Sequence, residues 1–169
     1  MKTMIMIAAS IFFLSGCAET FKRLEQEEAQ RNAVEAAVQT ETISRVVDAQ
    51  VKGFVVCSGK DQCEKAFKLT KLYIMQNADY KVARSDDMSI STHAYNVYNR
   101  DIAYQERFRD LTYMSALKIP VKGGGAAEKI VINVDCGGYR DPYTKGYPKC
   151  VDNVIKIYNE FAPFIESQL

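Results

Sequence analysis

The chain contains no tryptophan and a single histidine, His93, among its 169 residues. With one imidazole, no histidine-rich metal site can be built. A Ser-His-Asp arrangement has one possible centre, His93 with Ser89 and Ser91 beside it on the polar side of a predicted strand. No nucleophile-elbow sequence accompanies it. An excess of one charge is missing too, since 22 Lys and Arg face 21 Asp and Glu. Nucleic-acid binding needs clustered cations to neutralise phosphates, so a chain this balanced has no electrostatic reason for it. No two cysteines lie two to four residues apart, which excludes the usual zinc spacings and the two-residue redox spacing. Gly123-Gly124-Gly125 lacks the Lys-Ser/Thr and following helix of a phosphate-binding loop, and reads as a turn between strands. No apolar stretch after the first segment is long enough to span a bilayer. These absences bound the chemistry: no cofactor, no metal and no recognised catalytic motif is expected.

The first segment is where the sequence is most specific. Lys2 precedes an apolar run from Met4 to Leu14, which gives way to Leu14-Ser15-Gly16-Cys17. A positive end, a short apolar core and small residues at its close are the pattern of a secretory signal, too short for a permanent span. Leu14-Ser15-Gly16-Cys17 resembles the lipobox of bacterial lipoproteins. That resemblance covers only the signal. It implies diacylation of Cys17, cleavage before it (residues 1–16 removed) and attachment to a membrane by lipid. More than one acyl chain makes such an anchor stable. In that family an aspartate after the lipidated cysteine tends to retain the protein at the inner membrane. Ala18 stands there in this chain, which implies the outer membrane, facing the periplasm.

Loss of residues 1–16 removes Lys2, and the formal charge falls from +1 to zero. What remains is enough for one domain with a real core. Cys57, Cys63, Cys136 and Cys150 are an even number in an exported chain, which reads as disulfides. Four cysteines allow three connectivities. The local one, Cys57–Cys63 with Cys136–Cys150, is preferred because each bond closes a joint between a strand and a helix.

Residues 17–50 read as the lipidated cysteine and a helical tether, and residues 51–169 as a single stapled domain. Ala18 to Asn32 holds good helix formers, with Arg23, Glu27 and Arg31 spaced for i,i+4 pairs. Val34, Ala37, Val38, Ile43, Val46 and Val47 return at helical spacing, with a kink or new start expected at Thr40 to Thr42. Phe54 to Cys57 is a short buried strand. Asp61 and Glu64 fit a capping box for the next helix, whose stripe is Cys63, Ala66, Phe67, Thr70, Tyr73, Ile74 and Asn77. Leu69, Leu72 and Met75 broaden that stripe and imply cover on more than one side.

Strands follow at Tyr80 to Ala83, Met88 to Tyr98, Leu111 to Ile119 and Lys129 to Cys136. Met88, Ile90, Thr92 and Ala94 share one face. Leu111, Tyr113, Leu117 and Ile119 share another, and Ile130, Ile132, Val134 and Cys136 point to the core. The last helix carries Val154, Ile155, Tyr158, Ala162 and Ile165, with Pro163 expected to kink or stop it. The class is α+β: an antiparallel sheet of about four to five strands with helices on one face, after an N-terminal helical linker.

Two kinds of site suggest themselves. The segment between Cys136 and Cys150 holds Tyr139, Arg140, Tyr143, Lys145 and Tyr147, residue types enriched at interface hot spots. A bond tying its ends would lower the ordering cost of binding. Tyr95, Tyr98 and Tyr104 form a second aromatic group. Carboxylate chemistry has two candidate pairs, Asp86 with Asp87 at a predicted turn and Glu106 with Asp110 at i,i+4. The reading is a non-catalytic envelope accessory or assembly protein that binds a protein partner or a cell-wall component. The alternative is an envelope enzyme that cuts cell-wall or glycan substrates with carboxylates.

Overall fold

Alternating burial along residues 130–136 marks the strand on which the other elements assemble. The structure is a computed structural model that describes residues 2–93, 110–123, 125–136 and 148–169. Its elements are α1 (Lys2–Gln50), β1 (Phe54–Ser58), α2 (Lys60–Asn77), β2 (Val82–Ser85), β3 (Ser89–Thr92), β4 (Thr112–Pro120), β5 (Ala127–Cys136) and α3 (Pro148–Glu166). The strands form one antiparallel sheet in the order β1-β5-β4-β3-β2. The fold is therefore α+β, with α2 and α3 packed on one face of the sheet.

The chain divides into two units, residues 1–41 and 42–169. In the first, the described side chains of α1 are exposed nearly throughout, with an Arg23–Glu27 ion pair at 3.0 Å. Helix α1 continues through Thr40–Thr42, where a kink or restart was expected, and Thr40 Oγ1 donates to the Ala36 carbonyl. In the second unit the last turns of α1 bury Val46 and Ala49. Arg45 pairs with Asp152 of α3 at 3.2 Å. Among the described residues no helix is long and apolar enough to cross a membrane.

The core lies between the sheet and the helices. Val55 and Cys57 of β1, Met114 and Ala116 of β4, and Ile130, Ile132, Val134 and Cys136 of β5 form its floor. Cys63, Ala66, Phe67, Thr70, Tyr73 and Ile74 of α2 cover it, together with Val151, Val154, Ile157, Tyr158, Phe161 and Ile165 of α3. Both disulfides take the local pairing. Cys57–Cys63 joins β1 to α2, and Cys136–Cys150 joins β5 to α3. Two buried threonine hydroxyls are bonded to backbone: Thr70 Oγ1 donates to the Ala66 carbonyl, and Thr92 Oγ1 accepts from the Met114 N–H at 3.0 Å.

Several local expectations are corrected. In β4 the large apolar residues Leu117 and Ile119 face away from the core. Register with β5 places Met114 opposite Val134 and Ala116 opposite Ile132, so the even positions take the helix side. Helix α2 is covered on one side only, and Leu72 and Met75 stay exposed. Its capping box does not form, because the helix starts one residue before Asp61. Gly59, at φ +79°, is the N-cap residue, and this left-handed turn suits a residue without a Cβ. The Ser58 N–H finds Gln62 Oε1 instead, at 2.8 Å. Pro163 does not stop α3, which runs on to Glu166. β2 starts at Val82, two residues later than the pattern implies.

Gly53, between α1 and β1, is glycine for a packing reason. A Cβ there would run into the ring of Tyr158. That ring crosses the Gly53 backbone so that its hydroxyl accepts the Val134 N–H at 2.9 Å, just beyond the point where β1 begins. Burial raises the Tyr158 pKa, and the Val134 hydrogen bond opposes the shift.

Candidate functional site

On the helix side of β4 the residues run Thr112, Met114, Ala116, Lys118, Pro120, and on that of β5 Cys136, Val134, Ile132, Ile130, Glu128. Apolar residues give way to charge at the same end of both strands. There a cleft of about 790 Å³ opens between α2, the β2–β3 turn and the β4–β5 turn. This lies within the usual size of a small-molecule or peptide pocket.

The floor is Phe67 of α2 and Ile90 of β3, both largely buried. Lys118, little exposed, lies over the Phe67 ring with Nζ 5.4 Å from its centroid and 3.7 Å from Glu128 Oε2. The wall from α2 presents Lys60, Glu64, Lys68 and Lys71, and the facing turn presents Ser85, Asp86 and Asp87. The Cys57–Cys63 bond fixes the first turn of α2 here, and Cys57 sits opposite Glu128 in the strand register.

Five of these charges are already matched. Lys60 Nζ lies 3.9 Å from Glu64, Lys118 pairs with Glu128, and Asp86 binds Arg84 at 2.9 Å. Asp86 also accepts the N–H groups of Met88 and Ser89 and the Ser89 hydroxyl. These bonds, the Met88 N–H foremost, lower its pKa to about 2. Among the described residues, no ion pair engages Lys68, Lys71 or Asp87. The free charges are thus two cations on α2 and one carboxylate across from them.

A second surface is the open face of the sheet. Phe54 and Val56 of β1 and Leu117 and Ile119 of β4 are 37 to 55 % exposed there. Val131 stands between Phe54 and Leu117 in register, and Lys129 between Val56 and Ile119. Lys129 Nζ lies 3.6 Å above the Phe54 ring. Ser91 and the exposed His93 fall on the same face of β3 by alternation, and the His93 N–H donates to the Lys81 carbonyl. The Ser89 hydroxyl is bound to Asp86, so it is not held by the imidazole.

Tyr139, Arg140, Tyr143, Lys145 and Tyr147 lie outside the described residues, as do Ala94, Tyr95, Tyr98, Tyr104, Glu106 and Gly124. The Cys17 side chain is likewise undescribed. Among the described residues the one group of metal-ligating side chains is Cys57, Cys63 and Glu128, and both sulfurs are committed to a disulfide.

The cleft was not anticipated from the sequence, though two signals point to it. Lys60, Glu64, Lys68 and Lys71 recur at helical spacing beside the buried stripe of α2. Lys118 and Glu128 are charges at core parity on strands, the break in alternation that marks where a core ends. No family model matches the chain, nor does any curated protein or solved structure.

Proposed function

We propose that the chain is a lipid-anchored lipoprotein of the outer membrane, facing the periplasm, that works by non-covalent binding at the cleft beside α2. One observation carries the binding half of this reading. The cleft joins an apolar floor, Phe67 and Ile90, to a rim on which Lys68, Lys71 and Asp87 remain free for a ligand. A few convergent polar groups around an apolar floor are what orient a bound molecule. The anchor half rests on Leu14-Ser15-Gly16-Cys17 and on the nearly wholly exposed stretch of α1 over residues 22–41.

The enzymatic alternative draws on the same cleft, which gathers Glu64, Asp86, Asp87 and Glu128. Glycoside hydrolysis with two carboxyl groups needs one held protonated as the acid, by a raised pKa. Asp86 is shifted the opposite way, and its oxygens are occupied by its own turn. Glu128 and Glu64 have lysine partners. Binding is therefore the better account.

Palmitate labelling with density fractionation tests the anchor. The chain is expected to take up label and band with the outer membrane, and Cys17→Ser to do neither. An unlabelled parent chain would end the lipoprotein reading. Release of reducing ends from purified cell wall, abolished by Asp87→Asn or Glu128→Gln, would replace binding with catalysis.

A further inference from the structure

Resting on the reading of the cleft as a binding site, we propose that its ligand is an extended acidic peptide segment, with carboxylates at alternate positions laid along α2. Of the charges around the cleft, Lys60, Lys118 and Asp86 are each matched by a neighbour, whereas Lys68 and Lys71 are not. The unmatched charge on the α2 wall is therefore positive. Lys68 and Lys71 are three residues apart on one helix, which separates their Cβ atoms by about 5–6 Å. Alternate side chains of an extended strand on one face are about 6–7 Å apart. Two flexible lysine stems close that small difference, so each ammonium meets its own carboxylate.

The intervening side chain of such a peptide has the opposite direction, and the segment's backbone runs over the floor at Phe67 and Ile90, which reach the cleft with small apolar areas beside the Lys118 stem. A lone phosphate headgroup can be bridged by both lysines but leaves this floor unfilled. Asp87, on the facing turn and without an ion pair, repels a ligand that is anionic on both sides. It thereby sets the direction of the acidic edge, toward α2 and away from the turn. Both lysines are exposed, so the attraction is screened by salt and the affinity falls as ionic strength rises.

The test uses the full chain purified in non-ionic detergent, with fluorescence anisotropy on dye-labelled peptides of equal length. One peptide carries glutamate at alternate positions, one glutamine there, and one lysine there. The glutamate peptide is expected to bind at least tenfold more tightly than the glutamine peptide. Lys68→Glu with Lys71→Glu should abolish that preference, while Lys156→Glu, on an exposed position of α3, should not. Unchanged melting temperatures of these surface variants establish that they fold.

Equal binding of glutamate and glutamine peptides would overturn the acidic specificity. Binding of the lysine peptide alone, lost in Asp87→Lys, would overturn it too but leave the cleft as a binding site. Failure of all three peptides would overturn the peptide ligand and leave the cleft reading to stand or fall on other ligands. Anionic phospholipid vesicles that displace the glutamate peptide through Lys68 and Lys71, and bind more tightly than it does, would show that the ligand is a lipid surface and not a peptide.

Discussion

The two faces of the sheet are made from the same strands and differ by one residue of parity. On one face Val55, Ile90, Met114, Ala116, Ile130 and Ile132 are almost wholly buried under α2 and α3. On the other, Phe54, Val56, Leu117 and Ile119 are apolar and remain in contact with solvent. Hydrophobicity alone does not separate them, since Leu117 is more apolar than Ala116 beside it. The helices decide. A face is buried where side chains of α2 and α3 fit against it, and Ala116 fits below them where a leucine would overfill the space.

The largest effect that sharpens this comparison is truncation on the covered face. Phe161→Ala should cost about 3–5 kcal/mol of unfolding free energy in urea, because the ring is fully buried and packs against Tyr73. Leu117→Ala on the open face should stay within about 0.5 kcal/mol. Comparable losses for the two would mean that both faces are covered.

Next come the staples that hold the helices to the covered face. Replacing Cys136 and Cys150 by serine should cost about 3 kcal/mol, and the same change at Cys57 and Cys63 somewhat less. The loops closed have sequence separations of 14 and 6, and a longer loop loses more freedom when closed. Thermal unfolding of the two double variants gives the order. Its reversal would show that strain or denatured-state structure, not loop closure, dominates.

Third is the contact that seats α3 against the end of β1. Gly53→Ala should destabilise the fold by about 1–3 kcal/mol by driving a methyl group into the Tyr158 ring. Hydrogen exchange at the Val134 amide should rise with it, since Tyr158 can no longer hold that N–H. Loss of stability without faster exchange at Val134 would break this link.

The smallest effect belongs to the exposed hairpin edge. Asp86 has a folded pKa of about 2, below its unfolded value near 3.8, so its contribution is complete above the unfolded value and is lost as pH falls toward 2. Between pH 5 and pH 2, the protection factors of the Met88 and Ser89 amides, with the intrinsic pH dependence of exchange divided out, should fall in the parent chain. In Asp86→Asn the same amides should be less protected at pH 5 and respond less to acid. A parent-like acid response in that variant would assign the effect to other carboxylates.

Much of the covered face was legible. The parity of residues 130–136 and the stripe of α2 carry their burial in their pattern, since each repeats the period of its element, whereas the run Phe54 to Cys57 is apolar throughout and hides that Phe54 and Val56 stay exposed. Leu111 to Ile119 misled because parity says which residues share a face, not which face meets the helices. The start of α2 depended on the left-handed turn at Gly59, which outweighed a capping box that would have begun the helix later. The cleft was hidden for another reason. Its walls come from α2, the β2–β3 turn and the far ends of β4 and β5, residues brought together only by the sheet order.

That order also fixes a sequence of events. β1 is the first strand in the chain, yet its partner is β5, the last, and the ring that occupies the end of their junction comes from α3. A chain emerging with its N-terminus first therefore exposes β1 unpaired until nearly everything after it has appeared. The Cys57–Cys63 bond closes a loop short enough to form in that interval, tying β1 to α2 before β5 exists. Cys136 and Cys150 can join only at the end, so oxidation of the two pairs should be separated in time. The earlier bond then serves as a guard on a waiting strand, and the later one as the latch on a finished sheet.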